Sequence, residues 1–376
     1  MTRIRKRRRR NTAPLPKRRL RRFGRRGAWK GRRGGGRRKS ADSAGGSLAA
    51  SSWLLQRAYE AGALAALRPA AGEETPLAAV NRLWNDWRTE NGPVPLKWSA
   101  YHDVAAKFVA GFESGRGVRL EGPALVPTRK TIGAVVTAMN EEKALPGVLH
   151  QLDRLPLDEL VIVVNGSTDQ TFWNARRPGK AVIVHYVRPL GHDVGRAVGA
   201  KLISADIVLF LDGDFPIFAE HLVPFIDAID KGTDVALNDI TPYIDVFARR
   251  DQVTIVKEML NRAVGRPDLG ASSMTAVPHA LSRKAIETIG CANLMVPPKA
   301  QAIAVRDGLK VEAAMSVDVI SKNRVRDKNT GAANPVADLI VGDHLEALGL
   351  LFQREGARLH EADHMRNRSE LGRASS

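Results

Sequence analysis

Cysteine is almost missing from this 376-residue chain: Cys291 is the only one, so no internal disulfide can form, which fits a reducing compartment. Long apolar runs are missing too. None approaches the roughly 18 residues of a membrane helix, and the basic start is not followed by the apolar stretch of a secretory leader. Both lacks predict a soluble, cytoplasmic protein. Acidic residues are missing from positions 1–39, which hold 20 Lys and Arg, so the net charge of +18 is local and the remainder carries −2 (18 less 20). Such a chain is a near-neutral globular protein with a basic tail.

What is present divides the chain. Residues 1–47 cannot bury a core and are expected to be disordered. Their charge suits a nonspecific polyanion or an anionic membrane surface at which the protein would sit peripherally. Phe23 and Trp29 are their only aromatics, which gives little basis for base stacking. Residues 48–117 read as a helical extension, with Trp53-Leu54-Leu55, then Leu83-Trp84 and Trp87, then Val104-Ala105 and Phe108-Val109 at helical spacing. The Gly- and Pro-rich stretch Gly111 to Pro127 reads as the way out of it, with 118–127 as a linker.

From residue 131 short apolar runs alternate with helical ones, the pattern of an open α/β sheet. Strands are expected over 131–138, 160–164, 181–187 and 207–211, and helices from about 140 to 152 and 191 to 204. Ligands of such sheets lie beyond the carboxyl ends of the strands. Three polar clusters fall there: 137–141, 165–169 and Asp212-Gly213-Asp214. Two carboxylates around a glycine suit Mg²⁺ or Mn²⁺ carrying a diphosphate, with a plain surface turn as the alternative. The glycine is expected to let the backbone bend around something close.

Three blocks at these strand ends, VVTAMNEEKALPGVL (135–149), ELVIVVNGSTDQT (159–171) and ADIVLFLDGD (205–214), resemble family 2 glycosyltransferases. The resemblance implies a GT-A fold, a Rossmann-like nucleotide-sugar-binding sheet, with a donor half at 128–235, an acceptor half at 236–355 and a C-terminal segment at 356–376. It places Thr137, Ala138, Asn140, Glu141 and Asn165 around the nucleotide. Asp212 falls toward the ribose and sugar, and Asp214 on the metal. The glycine-rich segment 190–202 offers His192 and Arg196 near the diphosphate, where relatives often have Lys. Residues 248–290 are similar in style to glucosyl-3-phosphoglycerate synthases, which puts an acceptor site at 266–275, with Arg266 supplying charge and Asp268, Gly270 and Ser273 hydrogen bonds.

Sugar transfer with inversion needs a carboxylate to take the proton of the acceptor hydroxyl. The candidate is Asp343, after the apolar, strand-like run 339–342 and at a helix start where relatives keep their acid; a simple helix cap is the plainer reading. Glu346 is the rival, matching an acceptor-binding Glu. A late histidine often completes the metal shell of such enzymes, and His364, then His360, followed by Asn367-Arg368, are the candidates. The expectation is a metal-dependent transferase moving a sugar from a nucleotide sugar, a UDP-sugar first, to a hydroxyl acceptor with inversion. A retaining transferase of the glucosyl-3-phosphoglycerate synthase type and a non-catalytic binding protein anchored by its tail are the alternatives.

Overall fold

Seven strands form one sheet in the order β3-β2-β1-β4-β6-β5-β7: β1 Ile132–Ala138, β2 Glu159–Asn165, β3 Ala181–Tyr186, β4 Ile207–Asp212, β5 Val235–Asn238, β6 His279–Ser282 and β7 Val311–Met315. The structure is a computed structural model, and it describes residues 50–366 except 70–71, 93–94, 178, 245, 247, 249 and 321–333. The basic tail expected over 1–47, its polyanion contact, and Asn367 and Arg368 lie outside the described residues. Strands β1–β4 run parallel to their partners among themselves, β5 runs parallel to β7, and β6 is antiparallel to both β4 and β5.

Both faces of the sheet are covered, which is why β1, β2 and β4 read as continuous apolar runs and not as alternating ones. Ala134, Val136, Ile162 and Leu209 point to a core shared with α4 (Leu145–Asp153) and α7 (Ala219–Asp230). Val135, Val161, Val163, Val208 and Phe210 point to the other, built with α6 (Val194–Leu202), α9 (Arg283–Ile289) and α10 (Pro297–Arg306). The α/β class and the open sheet expected from the sequence are what the structure has.

The helical extension consists of α1 (Ser52–Ala65), α2 (Pro76–Asn91) and α3 (Trp98–Arg116), and its buried side chains belong to the first of these cores. Gly111 and Gly115, read from sequence as the start of a linker, lie inside α3. A Cβ on Gly111 would land on the carbonyl oxygen of Tyr59, and one on Gly62 on that of Phe108, so these glycines let α1 and α3 touch backbone to backbone.

The expected linker 118–127 is likewise tied down, with Ala124, Leu125 and Val126 buried. Asn81 Oδ1 accepts from the Val126 N–H (2.8 Å), and the Asn85 amide donates to the carbonyls of Val126 and Thr128 (both 3.0 Å). The Trp84 indole donates to the Tyr101 hydroxyl (2.9 Å), which donates to the Leu125 carbonyl (3.0 Å). Each such buried bond is worth only about 1 kcal/mol net, but leaving one unmade costs about 1–3 kcal/mol, so the set fixes the path of the segment.

A second correction concerns the C-terminal half. The run 339–342 is not a strand: it belongs to α11 (Pro335–Glu355), which begins at Asn334, whose side chain accepts from the Ala337 N–H. Asp343 therefore sits in the body of a helix and caps nothing. Between α7 and α11, α8 (Gln252–Ala263) packs against α11 and α10. Among the described residues no helix is long and apolar enough to cross a membrane.

Candidate active site

The site begins where β1 and β4 end side by side, with Thr137 paired to Asp212 in register. The Thr137 hydroxyl donates to Asp212 Oδ1 (3.0 Å), and the Gly213 N–H donates to the Thr137 carbonyl (2.8 Å). A Cβ on Gly213 would come within 2.9 Å of Ala138 Cβ. The close neighbour that requires glycine here is therefore the end of β1, where the sequence had suggested a ligand. Its effect is to hold Asp212 and Asp214 beside the β1 end.

The loops after β1 and β2 are bolted to each other. Asn140 takes a left-handed conformation (φ 58°), which Asn tolerates better than most residues. Its N–H donates to Ser167 Oγ (3.0 Å), its Oδ1 accepts from the Thr168 N–H (2.8 Å), and the Glu141 N–H donates to Thr171 Oγ1 (2.7 Å). Asn165 spends both ends of its amide on the next loop: Oδ1 accepts from the Leu190 N–H (2.7 Å) and Nδ2 donates to the Gly191 carbonyl (2.9 Å).

Between these loops lies a cavity of about 260 Å³, lined by Thr137, Ala138, Glu141, Asn165 and Asp212 among others. Five of the six residues expected around the nucleotide thus meet in one place. Asn140, the sixth, is not on its wall and acts by pinning the loops.

Arg196, on α6, lies beside Asp212 and lines a second cavity. It is buried, its Nε lies 3.1 Å from Asp193 Oδ1, its Nη2 3.6 Å from Asp212 Oδ1, and its Nη1 donates to the Met274 carbonyl (3.0 Å). Burial opposes its charge, and Asp193 and Asp212 more than offset that, so the guanidinium stays protonated. Asp193, at φ 59°, is held in a left-handed turn at the start of α6 and faces the cleft.

Asp212, Asp214 and His192 also line a second, larger cavity of about 540 Å³ whose far walls come from α8, α11 and the segment after β5. Lys257 of α8 faces it. Burial pushes the Lys257 ammonium down to about 8, with Asp251 and Asp193 pulling the other way and Arg196 adding to the push. Some of its surface stays accessible because the cavity is in front of it, although protein surrounds it elsewhere.

Val336 and Ile340 of α11 line the same cavity, and Asp343 follows Ile340 by one turn. Burial pushes the Asp343 carboxyl up to about 6, helped by Asp193 and Glu346 and opposed by His192. His344 is fully buried behind it, its Nδ1 2.6 Å from the Ile340 carbonyl, and burial lowers its pKa to about 4, so it is neutral at pH 7.

The other expected residues are placed differently. Arg266 makes a two-pronged pair with Asp268 (2.7 and 2.9 Å) and donates to the Val311 carbonyl (2.8 Å), so its charge is already matched. Gly270 (φ 54°) passes its carbonyl to Asn261, and Ser273 is buried with its hydroxyl on Thr275 Oγ1 (3.1 Å). None of the three lines either cavity; it is Thr275 and Ala276 that reach the larger one.

Glu346 is exposed and accepts from Lys299 (2.8 Å). His364 is exposed beyond α11 and lines neither cavity, and His360 instead lies near Gly265. None of the described residues after α11, 356–366, lines either cavity. Motif reading missed Lys257, Asp193, Tyr243 and Arg250. The one signal for Lys257 was its place on the apolar stripe of α8, in step with Val253, Leu260 and Val264.

Among the described residues no group of three or more His, Cys, Asp or Glu could hold a metal ion. The donor set still fits one. Mg²⁺-type ions are commonly held by one or two carboxylates together with substrate phosphates and water, and Asp212 and Asp214 stand together where the two cavities join.

Fold and cleft together define an α/β protein whose strand ends open on a two-part cleft. Residues 134–290 match the sequence model of glycosyl transferase family 2. The match extends past the three blocks to the end of α9. A dolichyl-phosphate hexose transferase of Haloferax volcanii is 35% identical over 111 residues, 29% of this chain and 47% of its own length. Glucosyl-3-phosphoglycerate synthase of Mycobacterium tuberculosis is 34% identical over 109 residues, 25% of this chain and 33% of its own. The chain thus spans about half, or less, of the curated relatives it matches. A crystal structure of that synthase with Mn²⁺, uridine diphosphate and glucosyl-3-phosphoglycerate aligns at 20% identity and a TM-score of 0.42, covering 63% of this chain and 82% of the other.

Proposed function

We propose that this protein transfers a sugar from a nucleotide sugar, a UDP-sugar first, to an acceptor oxygen, with inversion and with a divalent cation. The observation that carries the proposal is the position of Asp212 and Asp214 at the junction of two cavities. One is walled by the β1 and β2 ends that the family match covers, and the other by Ile340, one helical turn before Asp343 on α11. The smaller cavity takes the nucleotide and the larger one the acceptor.

In the reaction the acceptor hydroxyl oxygen forms a bond to the anomeric carbon. The bond from that carbon to the diphosphate oxygen breaks, and its electron pair leaves with the nucleoside diphosphate. Asp343 takes the hydroxyl proton; a carboxyl held near 6 is mostly ionised at pH 7 and is a better base than an ordinary aspartate. Arg196 keeps Asp212 in place and supplies positive charge beside it. Asp212 and Asp214 would hold Mg²⁺ or Mn²⁺, which when bound supplies Lewis acidity toward the leaving diphosphate. The matched relatives have different acceptors by name, so none is carried over.

The proposal is tested by incubating wild type and Asp214→Ala with UDP-glucose and Mn²⁺ and following release of UDP. The variant is expected to lose at least about a thousandfold in rate. Unchanged release in the variant removes Asp214 from the chemistry.

A further inference from the structure

A further cavity, of about 200 Å³, opens in the helical extension between α1, α2 and α3. It shares no lining residue with either cavity at the strand ends. Its walls are aromatic, with Trp53, Trp84, Trp87 and Tyr101 among them. Trp84 meets Trp87 at a tilt, 5.3 Å between ring centroids, and Tyr101 edge-on at 5.6 Å, so the rings form a box and not a flat platform. A planar ring suits such a box, since it can stack on one wall and turn its edge to another.

The charge in the lining is of one sign. Arg57 lies over the Trp53 ring (4.8 Å to its centroid) and Arg88 over that of Tyr101 (5.7 Å). Arg57 donates to Asn91 Oδ1 (2.7 Å), and Arg88 reaches Asn85 Oδ1 at 3.5 Å; among the described residues neither has a carboxylate partner. Arginines close by but outside the cavity are treated differently. Arg82 holds Glu74 (2.6 Å), Arg129 holds Asp86 (2.6 Å), and Arg68 lies 3.8 Å from both Asp86 and Glu90. The acids on α2 and just before it are thus taken up elsewhere, and the two guanidinium groups that line the cavity keep their charge unmatched.

The other polar side chains of the lining are committed. The Tyr101 hydroxyl accepts from Trp84 and donates to the Leu125 carbonyl, while Asn91 Nδ2 donates to the Trp87 carbonyl (2.8 Å) and its oxygen takes Arg57. What the lining side chains still offer is guanidinium N–H, which donates and cannot accept. The hydroxyls of a neutral sugar call for acceptors as well as donors, whereas a carboxylate calls for donors alone.

We propose that this cavity is a second ligand site that binds a small aromatic carboxylate, its ring between the aromatic walls and its carboxylate paired with Arg57 and Arg88. The site stands apart from the cleft at the strand ends, and it holds whether or not the sugar-transfer reading does.

Three probes test it by titration calorimetry on the full chain: 3-phenylpropionate, 3-phenylpropionamide, which keeps the ring without the charge, and propionate, which keeps the charge without the ring. Wild type is expected to bind the acid at least about tenfold more tightly than either analogue, since a charge-assisted bond and a buried ring are each worth that much. Arg57→Gln and Arg88→Gln should each lose about tenfold for the acid and little for the amide. Trp53→Ala should weaken acid and amide alike, by about threefold to tenfold. Lys257→Met, which removes the ammonium of the larger cavity, should bind the acid like wild type. Melting curves show that each variant is folded.

Equal binding of acid and amide by wild type overturns the proposal, as does propionate binding as well as the acid, or no binding of the acid at about 1 mM. A folded double variant, Arg57→Gln with Arg88→Gln, that binds the acid like wild type overturns it too. So does a loss of acid binding in Lys257→Met, because the acid would then occupy the cleft.

Discussion

The two cavities that share Asp212 and Asp214 are made in different ways. The smaller cavity, proposed to take the nucleotide, is assembled from the ends of adjacent parallel strands, and its loops are clamped by short side-chain-to-backbone bonds such as those of Asn140 and Asn165. The larger cavity, proposed to take the acceptor, is assembled from helices and segments more than 100 residues apart, with aliphatic side chains and the Lys257 ammonium in its lining. A strand-end site is rigid and chemically generic. A site between helices can change its lining without disturbing the sheet, which is where specificity for one acceptor over another can be written.

Breaking the acceptor side at its base should have the largest effect. Asp343→Asn is expected to lower kcat by about 10²- to 10⁴-fold while leaving UDP affinity unchanged, measured by steady-state kinetics and calorimetry. In wild type the rate should fall as pH drops through about 6, where Asp343 takes up its proton. A small effect on kcat would favour a retaining mechanism without an enzymic base.

The same substitution should stabilise the protein. The folded-state pKa lies above the unfolded value of 3.8, so the charged carboxylate costs stability above about pH 6, and the cost fades as pH falls toward 4. A higher melting temperature for the Asn variant at pH 8, shrinking by pH 5, is the expected result.

Breaking the donor side at a clamp should be milder. Asn165→Ala frees the backbone of Leu190 and Gly191 and is expected to cost about 1–3 kcal/mol in stability, with a loss of UDP affinity that a chemical-denaturation series and a titration would both register. Gly111→Ala provides the contrast far from either cavity. It forces α1 from α3 and should destabilise by about 1–3 kcal/mol while leaving UDP affinity as it was.

The grouping of residues around the smaller cavity was legible in the sequence because of how strand ends are built. Its residues lie in three contiguous blocks, and strand ends bring contiguous blocks together. Asn165 lines the smaller cavity, but its amide is committed to a loop 25 residues on, which the sequence could not show. Glycine was read through its usual meaning and misread twice, because Gly111 and Gly213 serve close packing and not flexibility or ligand approach.

The acceptor side was hardly legible. The run 339–342 is apolar and short, and periodicity over four residues cannot tell a strand from a helix turn. Arg266 and Glu346 carry charge of the expected sign, yet Asp268 and Lys299 have taken it up, and pairing of that kind is decided by tertiary contacts.

The central claim is that the end of β4 grips a divalent ion that holds a nucleoside diphosphate, and isothermal titration of UDP into the full chain tests it most directly. The account predicts clear binding in the presence of Mn²⁺, at least about tenfold weaker binding after the metal is chelated, and loss of the metal-dependent part in Asp214→Ala. UDP binding that is the same with and without Mn²⁺, and the same in wild type and Asp214→Ala, would contradict it.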